Sequence, residues 1–171
     1  VHFSLKADHE RAVRTYRENN WLKTTAQADG TTLVSGKSSG TSYQYIEDNR
    51  IIPGVTISGV PVGGMDYENA RNAMLDALSA EFSKINISVT VDNVTIVLTA
   101  SDFRITTNIN ELLSSAFKLG RSDADPYQNY LKRVEIAENG FEVGSYTLRM
   151  DEESVAAIVS EAAAQLDHPP I

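Results

Sequence analysis

The sequence predicts an α+β domain, a small, mainly antiparallel sheet packed on amphipathic helices. Three observations carry this prediction. From Ile85 to Leu98, apolar and polar residues alternate on both sides of Asp92-Asn93, the pattern of a two-stranded hairpin. Segments opening near Asp66, Asn108 and Asp151 instead repeat apolar residues at helical spacing behind a short polar side chain that can cap a helix. The order from Ile51 onward then reads β-α-β-β-α-(α)-β-α.

The first 50 residues carry the weakest signals. Val1 to Leu5 reads as a short strand. Asp8 reads as the N-cap of a helix to about Asn20, with Ala12, Val13, Tyr16 and Trp21 on one side. An Asp29-Gly30 turn precedes a short strand over Thr31 to Val34, and the Gly/Ser-rich remainder reads as a linker. Residues 1–49 are therefore expected to form an arm or helix plus linker, and residues 50–171 the domain. The fragment GTTLVSGKS is not a phosphate loop. Five residues separate Gly30 from Gly36 where that motif has four, and no helix pattern follows.

The central stretch is IIPGVTISGVPVGGMDYENARNAMLDALSAEF, Ile51 to Phe82. Val55, Ile57 and Val60 predict a strand with one buried face, with Pro53 at its entry because proline cannot donate to a ladder. Gly63-Gly64 permits a sharp turn. Asp66 caps a helix whose stripe is Ala70, Met74, Leu78 and Phe82. The hairpin follows, expected to lay one apolar face on helices. Two glycosylation-type triplets, Asn86-Ile87-Ser88 and Asn93-Val94-Thr95, fall in or beside it and read as chance.

Asn108 or Thr107 caps the next helix, with Ile109, Leu112, Leu113, Ala116 and Phe117 inward and Gly120 as its stop. Tyr127 to Glu138 has helical spacing. Asn139-Gly140 then turns the chain into a strand over Phe141 to Met150. Asp151 caps a last helix carrying Val155, Ile158 and Val159, with Glu152 and Glu153 in its first turn, and Pro169-Pro170 lies beyond its end at Leu166.

Composition narrows the function. The chain has 171 residues, 42% hydrophobic and 22% charged, which suits a globular domain with its own core. A net charge of -8 argues against general nucleic-acid binding and against adhesion to an anionic membrane. Arg11, Arg14 and Arg17 read as the solvated face of the first helix. Without cysteine there is no disulfide, zinc-thiolate site or Cys nucleophile. No apolar run approaches the length of a membrane span.

Signatures of catalysis are missing from this reading. His2, His9 and His168 lie near the chain ends, in no motif and without an i, i+4 partner for a metal. Adjacent acids such as Glu47-Asp48 and Glu152-Glu153 do not face each other as a glycosidase pair would. The expectation is a non-enzyme without cofactor or metal. Ligand contacts are expected instead from Tyr43, Tyr45, Tyr67, Tyr127 and Tyr130, whose rings and hydroxyls suit a glycan or peptide surface.

The central stretch also carries a family resemblance. Ile51 to Met65, then Asp66 and Glu68-Asn69-Ala70-Arg71, resembles the opening of the peptidoglycan-binding domain of VanW-type vancomycin-resistance proteins, a module that also precedes the catalytic domain of some YkuD-type L,D-transpeptidases. The hairpin ending at Ser101-Asp102-Phe103, the helix end at Ala116, Gly120 and Arg121, and the run from Tyr146 to Pro170 are similar to later parts of that module. The resemblance covers about residues 50–171. It implies an extracytoplasmic, Gram-positive cell-envelope module, anchored by a segment upstream, that binds glycan or stem peptide of peptidoglycan and does not itself enter the membrane. It brings no ligand-contact residue with it. Two other roles remain open: an accessory domain of a transpeptidase whose catalytic domain lies outside this chain, and a spacer in a membrane-anchored envelope protein.

Overall fold

The structure is a computed structural model that describes residues 10–11, 21–91 and 93–166. The expected strand at Val1 to Leu5, most of the helix from Asp8 to Asn20, all three histidines and Pro169-Pro170 lie outside the described residues. Within them the chain is α+β. Strands β1 (Trp21–Ala26), β2 (Thr32–Ser38) and β3 (Thr41–Glu47) lead into β4 (Val55–Ile57), β5 (Val60–Pro61) and helix α1 (Tyr67–Phe82). The hairpin β6 (Asn86–Val91) and β7 (Val94–Thr99) follows, then β8 (Ile105–Thr107), α2 (Ile109–Lys118) and α3 (Pro126–Asn139). Strands β9 (Phe141–Glu142) and β10 (Leu148–Met150) and helix α4 (Glu152–Leu166) complete the order.

The strands form several small sheets rather than one. They are β1-β2-β3, β5-β4-β9, β6-β7 and β8-β10, with β4-β9 the parallel pair among them. The first corrects the expected linker. The short strand expected over Thr31 to Val34 is present as the start of β2, but the Gly/Ser-rich remainder is strand as well: residues 32–47 are two full strands in register from Thr32↔Glu47 to Ser38↔Thr41. Trp21, expected on a helix, starts β1 opposite Lys37. Polar strands of a solvated sheet carry no strong alternation, so composition concealed them. The Asp29-Gly30 turn is present. Asp29 accepts from the Thr31 amide and hydroxyl at 3.0 and 2.7 Å, and Gly30 takes φ +84°.

The core is built by the central stretch. Ile51, Ile52, Val55, Ile57 and Val62 are buried together with Met74 and Leu78 of α1, Leu113 of α2 and Ile136 of α3. The stretch closes on itself: Ile51 N donates to Met65 O at 2.9 Å, Gly64 N to Ile51 O at 2.8 Å, and Gly63 N to Val55 O at 3.0 Å. Gly63 is required by space. A Cβ there would lie 2.7 Å from Gly54 N and 2.9 Å from Ile52 O, both backbone atoms. As expected, Asp66 caps α1, accepting from Asn69 N at 2.8 Å, and the stripe Ala70, Met74, Leu78 is buried.

The strand expected over Phe141 to Met150 is two short strands with an irregular link. Phe141 N and Val143 N donate to Gly54 O and Thr56 O, after which the chain leaves β4 and reaches β8. Glu142 fixes this joint. Its carboxylate accepts from Thr56 Oγ1 at 2.6 Å, Ser58 N at 2.7 Å and Gly59 N at 3.2 Å, holding the β4–β5 turn, where Ser58 and Gly59 both have positive φ. Burial pushes its pKa up, but hydrogen bonds from Thr56, Gly59, Ser58 and Gly144 outweigh it, so the carboxyl is held below its ordinary 4.5. A carboxyl lowered in the fold stabilises above its unfolded value, and that contribution is lost as pH falls through the folded value. Glu142→Gln is thus expected to cost about 1 kcal/mol at neutral pH, a modest figure for an exposed group. In urea unfolding, the gap to wild type should narrow as pH drops below 4.5. A gap independent of pH would rule out the ionised carboxylate as its source.

Two other expectations are corrected in part. Of the two expected caps of α2, the Thr107 hydroxyl accepts from Ile109 N at 3.5 Å, whereas Asn108 stands at the N-cap but makes no side-chain cap; its Oδ1 accepts from Thr147 N at 2.7 Å and ties the β9–β10 link to α2. The hairpin does pair as expected around a tight turn, with Asn93 at φ +71°. Among the described residues, however, its apolar face is not packed on helices: Ile87 and Val89 are 46% and 40% exposed.

Candidate functional site

The meander β1-β2-β3 is fastened to the core along α3, and this joint borders a hollow lined by Glu47 and Arg121. Its centre is Glu47, at the end of β3, gripped by two guanidinium groups. Arg121 Nε lies 2.7 Å from Glu47 Oε1 and Arg133 Nη2 lies 2.9 Å from Oε2. Arg121 also donates to Phe117 O, Asp48 O and Arg50 O at 2.9, 2.9 and 2.7 Å. Arg133 donates to Gly120 O and Ile46 O at 3.0 and 3.1 Å and lies 4.6 Å from the centre of the Tyr45 ring. A planar fork with several donors is suited to collecting carbonyls from chain ends that converge here.

Four of the five expected tyrosines belong to this joint. The Tyr43 ring packs against Tyr127 and Tyr130 of α3 at centroid distances of 5.2 and 5.4 Å, and those two stack at 6.1 Å. Tyr43 is only 8% exposed. Burial, and then the charge of Asp125, pushes its phenol pKa up. Tyr45 is likewise raised, by burial first and then by Glu47. Tyr43 and Tyr45 therefore hold the meander on α3, and Tyr127 and Tyr130 meet them there. Period-2 spacing puts Tyr43 and Tyr45 on the same face of β3, a signal that is lost once the segment is read as a linker.

Gly36 completes the joint. It sits opposite Tyr43 in the register, and a Cβ on it would fall 2.2 Å from the Tyr43 ring. The ring lies over the bare backbone and fills the place of the missing side chain. Gly36→Ala is expected to lift the ring off its α3 partners and cost about 2 kcal/mol, within the range for overpacking. Near-UV circular dichroism should lose tyrosine signal at temperatures where far-UV signal is intact. An unchanged near-UV spectrum would mean the ring is not seated there.

Tyr67, the fifth, lies apart at the start of α1. Its ring meets Phe117 of α2 at 5.9 Å, and its hydroxyl donates to Asn110 Oδ1 at 3.4 Å. It is 40% exposed. It stands in a cleft of about 1220 Å³ between the β1–β2 turn, the chain after β3 and the start of α1. A second hollow of about 700 Å³ along α2 shares Tyr67, Phe117 and Arg121 with the first, so the two adjoin there and are together called the trough.

The trough has an aromatic floor and polar walls. Asp29, Glu47, Asp48, Asp66 and Glu68 are its lining carboxylates, with Asp66 engaged by Asn69 through both carboxylate oxygens. Arg50, Lys118 and Arg121 are its cationic side chains, and Arg121 is engaged internally. Phe117 was read as core and Arg121 as a helix end; both face this trough. An Arg directly after a helix-stopping Gly, close to unpaired terminal carbonyls, was the available signal for Arg121. Among the described residues no group of three or more His, Asp or Glu side chains could hold a metal, and no helix is long and apolar enough to cross a membrane.

No protein-family model, curated protein or solved structure matches this chain.

Proposed function

We propose that the chain is a non-catalytic, extracytoplasmic module that attaches or positions a protein on peptidoglycan, as the resemblance over residues 50–171 implies. The observation that carries this reading is the open trough with Tyr67 and Phe117 on its floor. Binding sites for small polar ligands combine apolar or aromatic surface with a few fixed polar groups in a concavity, and the trough has that composition. The excess of carboxylates over free cations argues against teichoic acid as the ligand, because both would be anionic.

Sedimentation with purified sacculi stripped of teichoic acid tests the reading. The protein is expected to leave the supernatant in a saturable manner, and teichoic-acid-bearing walls are expected to bind it no better. Protein that stays in solution at every concentration, at low salt, counts against wall attachment.

A further inference from the structure

We infer that the wall component held in the trough is the glycan strand, with a sugar ring lying on the face of Tyr67 beside Phe117. This rests on the wall-binding reading above and assigns it a site. The Tyr67 residue is 40% exposed, while its ring meets Phe117 at 5.9 Å and its hydroxyl donates to Asn110 Oδ1 at 3.4 Å. A ring held in this way stacks a ligand with little further loss of side-chain freedom. The C–H face of a pyranose matches such an aromatic surface, and its hydroxyls need acceptors close by. Glu68 offers one: it lines the trough beside Tyr67 and makes no hydrogen bond or ion pair with the described residues.

The charges of the trough favour sugar over stem peptide. A stem peptide presents carboxylates, and the five carboxylates lining the trough, Asp29, Glu47, Asp48, Asp66 and Glu68, outnumber its three cations, Arg50, Lys118 and Arg121, of which Arg121 is already committed to Glu47 and to the carbonyls of Phe117, Asp48 and Arg50. A neutral, hydroxyl-rich ligand meets no such conflict. Two hollows that adjoin at Tyr67 and Phe117 suit an extended polymer more than a single sugar.

The test is competition. The 171-residue chain is bound to sacculi and challenged with peptide-free glycan strands or with free stem peptides. Glycan strands are expected to release it and stem peptides are not. Tyr67→Ala should weaken binding about tenfold, the loss expected for one stacking contact, and Tyr67→Phe should retain most of it. Ser114→Arg, which obstructs the second hollow from the exposed surface of α2, should weaken binding even if Tyr67→Ala proves poorly folded. Release by stem peptide alone, or full binding by folded Tyr67→Ala and by Ser114→Arg, overturns the glycan assignment and leaves wall attachment standing. Absence of binding to both sacculi and glycan strands overturns both.

Discussion

Arg121→Ala is expected to lower stability by about 3 kcal/mol, the range for removing one partner of a largely buried, hydrogen-bonded ion pair. The side chain is 18% exposed. Its loss leaves the carbonyls of Phe117, Asp48 and Arg50 without their donor and Glu47 with Arg133 alone. The effect should not be uniform. Arg121 ties the end of β3 and the chain after it to the end of α2, so the meander should lose protection before the core does. Hydrogen exchange is the appropriate measurement. Amides of β2 and β3 are expected to exchange faster in the variant, while those of α1 around Met74 keep most of their protection. Arg121→Lys keeps the charge but not the fork and should recover less than half of the loss. Equal acceleration of every element would mean that the meander and core unfold as one unit and that Arg121 is no local fastening.

Gly63→Ala is expected to be at least as damaging, at about 3 kcal/mol or more, and through a different cause. The added Cβ would meet Gly54 N and Ile52 O at 2.7 and 2.9 Å, and backbone cannot swing aside as a side chain can. Relief requires opening the closed stretch that holds Ile51 beside Met65, and with it the packing of Ile51, Val55 and Val62 on Met74. Gly59→Ala is a useful contrast, since a Cβ there meets nothing within 4 Å and bears only the strain of φ +75°. Thermal unfolding should place Gly63→Ala well below Gly59→Ala. The reverse order would refute the close-approach account of this stretch.

What the sequence disclosed depended on how strongly each segment was patterned. Helix α1 was legible because Asp66 caps it and Ala70, Met74 and Leu78 repeat at the helical period. The hairpin was legible because its alternation brackets Asp92-Asn93. Of the meander only the start of β2, Thr32 to Val34, was legible, because the rest of β2 and β3 carries Gly36, Ser35, Ser38 and Gln44 where a half-buried strand usually carries apolar residues. Its stability comes from contacts far along the chain, with Tyr127, Tyr130 and Arg133 of α3, that local pattern does not contain. Asn108 is a similar case: a good capping residue by type, it was redirected to Thr147 by a partner 39 positions away.

The candidate site shows the same division. Five tyrosines were singled out on residue type alone, but type does not separate a ring that fastens two elements from one that faces a trough. Tyr43 and Tyr45 serve the first purpose, in company with Tyr127 and Tyr130, and Tyr67 serves the second. Phe117 joins Tyr67 only because α1 and α2 pack side by side.

The central claim is that the wall ligand occupies the trough over Tyr67 and Phe117. Amide shifts in a nuclear magnetic resonance titration with peptide-free glycan strands test it most directly. The account predicts saturable shifts at Tyr67, Glu68, Asn69 and Asn110, with the meander–α3 joint around Tyr43 and Tyr130 undisturbed. Shifts confined to that joint or to the exposed face of the β6–β7 hairpin, with the trough silent, would contradict it.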